Sequence, residues 1–133
     1  MKNSYEDYQY FYKLVKINSI YFKDNNIRIT NKDYLTEIDN LIHNIYLTIE
    51  KEKNINIIIR VILNSVGKVL YMQPFHNGNS RTLKQFIKIL LNSIDYDIYY
   101  NRKDYIIPLL FDNEECNNEE VQFFKLKAKL RKK

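Results

Sequence analysis

Apolar and polar positions along the chain alternate between helical spacing and short breaks. In residues 4–17, Tyr8, Phe11, Tyr12 and Val15 share one helical face, with Ser4 placed to cap and Glu6 and Asp7 in the first turn. The period then changes. Ile20 and Phe22, followed by Ile27 and Ile29, alternate with polar residues on either side of Asp24-Asn25-Asn26, which predicts a β-hairpin over 20–30. Such a hairpin is marginal alone and must lean on the rest of the chain. After Thr30 or Asn31 as cap, Leu35, Ile38, Leu41, Ile42, Ile45 and Ile49 predict a helix to about Glu50, and a polar connector follows at 51–54. Residues 55–72 are apolar nearly all round, Arg60 and Lys68 excepted, which marks a central helix packed on several sides. Gly67 inside it costs about 1 kcal/mol relative to Ala, and close backbone packing is its expected reason. Residues 81–94 form the next helix, with Leu83, Phe86, Ile87, Leu90 and Leu91 as its stripe. Residues 95–100 are extended, 102–111 a short helix with Pro108 near its end, and 118–130 a last amphipathic helix in a basic stretch reaching 133. The pattern predicts a single all-α domain, 1–133, with one small β-hairpin.

Composition narrows this picture. A chain of 133 residues buries a real core as one domain. Two glycines and two prolines are too few for many tightly turned strands. The single Cys116 excludes an intrachain disulfide and suits a reducing cytoplasm. No apolar run approaches the ~20 residues of a membrane span, and no signal-peptide pattern opens the chain, so a cytoplasmic protein without a membrane partner is expected. The net charge of +5 is unevenly placed: Lys125, Lys127, Lys129, Arg131, Lys132 and Lys133 follow an acidic patch at Asp112, Glu114, Glu115, Glu119 and Glu120. A basic terminal helix without a recognised binding motif reads as a solvated face, and nucleic acid is not an expected partner.

Between the two most apolar helices lies Gln73-Pro74-Phe75-His76-Asn77-Gly78-Asn79-Ser80-Arg81-Thr82. Backbone N–H groups at a helix start form a natural anion site, and a glycine just before lets a phosphate approach the main chain. The amides of Gly78, Asn79, Ser80 and Arg81 can converge on a phosphate, Arg81 can add a charge-assisted pair, and Lys84 stands one turn later as a second cation.

This run resembles the active-site loop of Fic proteins, of pattern H-P-F-x-[DE]-G-N-G-R with a further Arg three positions on. Pro74, Phe75, Gly78, Asn79 and Arg81 match, and Lys84 takes the place of the further Arg. The resemblance covers roughly residues 15–111 and implies a Fic-type helical bundle in which a β-hairpin flap lies upstream of the loop. It implies binding of ATP or another nucleotide and transfer of AMP to a protein hydroxyl. On it, the loop backbone and Arg81 hold phosphates, and the flap, with Phe22, Ile27 and Ile29, clamps a target protein by strand addition. Phe75 is expected to point into the core. A homo-oligomer or an antitoxin-like partner also fits the family.

The departures fall on chemistry. Gln73 stands where the family has its general base, and an amide accepts no proton near neutral pH; losing a general base costs about 10²–10⁴ in rate. His76, three residues on, holds a family position without a catalytic role. Asn77 replaces the acidic Mg²⁺ ligand, and an amide carbonyl binds magnesium weakly. Ser80 replaces a glycine. The expected function is a Fic-like protein with nucleotide binding kept and transfer weakened or lost. The alternative is a non-enzymatic interaction module with a vestigial pocket.

Overall fold

A computed structural model describes residues 4–133. The described chain is mostly helical, with one small two-stranded antiparallel sheet. In chain order come α1 (Phe11–Tyr21), α2 (Lys32–Lys51), α3 (Ile55–Met72), α4 (Asn79–Asn92), β1 (Tyr96–Asp97), α5 (Asn118–Lys127) and β2 (Arg131–Lys132). The core is continuous: Phe11 and Leu14 of α1, Ile38, Ile42 and Ile45 of α2, Ile59, Ile62 and Leu63 of α3, and Leu83 and Phe86 of α4 are all fully buried.

α2 and α3 begin where their caps stand. The Asn31 carboxamide oxygen accepts from Asp33 N–H at 2.8 Å, and that of Asn54 from Asn56 N–H at 3.0 Å. α3 is the central helix, packed by α2, α4 and α5. By length and composition alone it is apolar enough to cross a membrane, contrary to the expectation that no run is. Gly67 has the predicted use: a Cβ there would stand 2.5 Å from the Pro108 carbonyl oxygen, and Leu110 N–H donates to the Gly67 carbonyl at 3.3 Å.

Four expectations are corrected. The helix predicted over 4–17 is split into a 3₁₀ turn, Tyr5–Asp7, and α1, which runs on to Tyr21. The break is set from a distance: the Asp39 carboxylate of α2 accepts from Tyr10 N–H at 2.6 Å and Phe11 N–H at 2.7 Å, capping α1. Residues 20–30 form no hairpin. Ile20 is still helical, Asp24–Asn26 is a 3₁₀ turn, and Ile27 bridges Phe75 instead of its own sequence neighbours. Residues 102–111 are not helical, because their groups are bound to Gly67 and to Lys84. α5 stops at Lys127, short of the 130 expected, and no helix continues through the basic stretch to 133. Lys129 adopts φ +48°, and the chain turns back so that Tyr96 pairs with Lys132 and Asp97 with Arg131. The 3.9 Å Arg131–Asp97 ion pair there is exposed on its arginine side and adds little.

Cys116 is buried, and its N–H donates to the Asn64 side chain. Burial, with Glu120 adding to it and Arg60 opposing, pushes the thiol up to about 11. Thiolate is the reactive form. Native protein at pH 8 is therefore expected to resist iodoacetamide while the unfolded chain reacts, as intact mass would show; prompt native alkylation would contradict the burial. Because the unfolded thiol loses its proton first, at about 8.5, stability contributed by this group is present below that value and declines as pH rises towards about 11.

Candidate functional site

The loop between α3 and α4 is built by its asparagines and one arginine. Gln73 ends α3 in the left-handed region, φ 52° and ψ 63°, where glycine is the usual residue. Its amide is engaged at both ends: Nε2 donates to the Leu70 carbonyl at 2.7 Å, and Oε1 accepts from Asn79 Nδ2 at 3.1 Å. The last α3 carbonyls are covered by Arg28, which donates from Nε to the Gln73 carbonyl at 2.6 Å and from Nη2 to the Met72 carbonyl. A guanidinium at a helix C-terminus satisfies orphan acceptors and the helix dipole together.

Asn79 spans the loop. Its Oδ1 accepts from Phe75 N–H at 2.9 Å and its Nδ2 donates to the Phe75 carbonyl at 2.8 Å. Phe75, as expected, is buried, and it stacks on Phe11 at 6.1 Å. Asn26 reaches over from the 3₁₀ turn: Nδ2 donates to the Asn77 carbonyl at 2.9 Å, Oδ1 accepts from Asn77 N–H at 3.2 Å, and the Asn26 carbonyl accepts from His76 N–H at 2.8 Å. Behind it, buried Asn26 donates to Asn18 at 2.9 Å and Asn18 to the Thr82 hydroxyl at 2.9 Å. Each polar group thus finds a partner, as burial demands, and α1, the turn, the loop and α4 become one unit.

The residues read as a flap face this unit. Phe22 packs on Gly78 so closely that a Cβ there would stand 2.0 Å from ring carbon Cε2. Ile29 is in the core. Arg28 and Ile29 N–H both donate to the Pro74 carbonyl, at 2.8 and 3.2 Å. With these bonds on either side of the Ile27–Phe75 bridge, the N–H and C=O of Ile27 point to the opposite edge of the segment.

Gly78, at φ +73°, precedes α4 and offers it no side-chain cap. Thr82 N–H is the first of this helix to find a backbone acceptor, the Gly78 carbonyl at 2.9 Å. The preceding turn opens on a cleft of about 790 Å³ lined by Phe22, Gln73, His76, residues 77–81, Lys84, Tyr100 and Arg102. Arg81 lies 5.9 Å from the ring centroids of both Tyr21 and Phe22. Among the described residues the one ion pair is Arg131–Asp97, so Arg81 has no carboxylate partner.

Of the sequence-read set, the cleft brings together Phe22, Gln73, residues 77–81 and Lys84, while Ile27 and Ile29 do not line it. Ser80, His76 and Asn77 are exposed at the cleft, while Asn79 is buried and engaged within the loop. Lys84 is buried and bound to the carbonyls of Arg102 and Asp104. Burial lowers its pKa, opposed by the nearby Asp104. Among the described residues no group of three or more His, Cys, Asp or Glu side chains is placed to hold a metal. Sequence reasoning missed Asn18, Asn26, Arg28, Tyr100 and Arg102. No protein-family model, curated protein or solved structure matches the chain.

Proposed function

We propose that the chain is a Fic-like protein whose cleft binds the phosphates of ATP or another nucleotide, with AMP transfer to protein hydroxyls weakened or lost. The observation that carries this reading is the uncapped start of α4, with Gly78 in the left-handed region and Arg81 beside it without a carboxylate partner among the described residues. The start of α4 and such a guanidinium in one open cleft are complementary to phosphate. Gln73 supports the loss of transfer: both ends of its amide are taken up within the loop, and neither oxygen nor nitrogen is a base. Asn77 makes Mg²⁺ a weak companion of the nucleotide. A target protein would add along the free edge at Ile27.

Calorimetric titration of the whole chain with ATP, with and without Mg²⁺, tests this. Binding is expected without strong dependence on Mg²⁺, and Arg81→Ala should weaken it about tenfold or more, the loss of one charge-assisted contact. Absence of ATP binding to wild type would favour the alternative, an interaction module with a vestigial pocket.

A further inference from the structure

We infer that Arg102, not Lys84, is the second cation presented to the bound anion, and that Lys84 is the positioning residue that holds Arg102 at the cleft. The inference rests on the reading of the cleft as a phosphate site. Lys84 has the sequence position for a second phosphate contact, yet its ammonium is already committed. Nζ donates to the carbonyls of Arg102 at 3.2 Å and Asp104 at 2.5 Å and lies 5.6 Å from the Tyr100 ring centroid. Of the three donors of an ammonium these carbonyls take two, and the Tyr100 ring stands beside the third. Turning it towards a phosphate would strip partners from two carbonyls around a side chain only 6% exposed, which costs more than a replaced contact returns.

The turn it grips is closed on itself. Asp104 N–H donates to the Asn101 carbonyl at 2.9 Å, and Asn101 N–H to the Asp104 carboxylate at 3.0 Å. From this turn Arg102 lines the same cleft as Gly78 and Arg81, exposed and without a carboxylate partner among the described residues. Guanidinium suits phosphate oxygens better than ammonium because its donors form a planar fork. Two guanidinium groups on separate elements, one in the first turn of α4 and one on the turn after β1, suit a ligand carrying two linked phosphate groups. The ligand class is therefore a diphosphate or triphosphate ester, not a single phosphate.

Titrations of the full chain with pyrophosphate and with orthophosphate distinguish the roles. Wild type should prefer pyrophosphate. Arg102→Ala, an exposed change that leaves the core intact, should lower pyrophosphate affinity about tenfold, leave orthophosphate affinity nearly unchanged, and be partly rescued by Arg102→Lys. Lys84→Met should reproduce the loss of preference, and the double variant should lose no more than Arg102→Ala alone, since Lys84 acts through Arg102. Unchanged pyrophosphate binding by Arg102→Ala, or additive losses in the double variant, would overturn the inference and leave the phosphate reading standing. If wild type binds neither anion, both fail.

Discussion

Replacing Gln73 by His and Asn77 by Asp together is expected to raise AMP transfer from ATP by about 10²–10⁴-fold, the worth of a general base. The backbone is ready for the first change. At φ 52° and ψ 63° a histidine is better tolerated than most side chains, so the substitution meets no steric objection from the main chain. It does remove the Nε2 bond to Leu70 and the Oε1 bond from Asn79; the Leu70 carbonyl is open to water, and Asn79 Nδ2 keeps its bond to the Phe75 carbonyl. Asn77 is exposed, and its hydrogen bonds to Asn26 are made by its backbone. An aspartate there keeps the loop and gains the anionic oxygen that magnesium prefers. Transfer of label from ATP onto the protein itself or onto lysate proteins reads the result. A silent double variant that still binds ATP would mean that the base is not the missing part.

What the sequence made legible follows from the range of the forces involved. The spans of α2 and α3 are local matters of period and cap, with Asn31 and Asn54 standing where the helices begin, and that of α4 is a matter of period alone. The start of α1 depends on Asp39, far along the chain, which reads in sequence as one more polar residue on α2. The alternation of Ile20, Phe22, Ile27 and Ile29 is real, but strand alternation does not name a partner. The partner is Pro74, a residue with no N–H of its own, whose carbonyl accepts from the N–H groups of both Arg28 and Ile29. Residues 102–111 have helical composition, yet contact with Gly67 of α3 and the grip of Lys84 decide otherwise.

The same division runs through the cleft. Gly78 and Arg81 were legible because a glycine, an arginine and a helix start lie in one short run. Asn79 lies in the same run, and its backbone N–H is the group read there; that its carboxamide also closes the loop has no sequence signal. Asn18, Asn26 and Arg28 carry no sequence pattern, since asparagine in a polar turn is ordinary. Their roles exist only once α1, the turn and the loop meet.

Gly78→Ala is expected to lower stability by several kcal/mol and to abolish binding at the α4 start. Two separate causes act at this position. A non-glycine residue at φ +73° costs about 1–2 kcal/mol. A Cβ would also stand 2.0 Å from one carbon of the Phe22 ring and 2.1 Å from the next, and overpacking of this kind costs about 1–3 kcal/mol more. Against a domain stability of about 5–15 kcal/mol, the sum corresponds to a fall of roughly 10 °C in Tm. A double-mutant cycle with Phe22→Ala separates the causes. With the ring removed, the clash disappears and the backbone strain remains, so Gly78→Ala should cost less in the Phe22→Ala background by about the overpacking share. Strict additivity would mean that Phe22 moves aside freely, and that the tight seat of its ring on Gly78 does not fix the approach to the helix start.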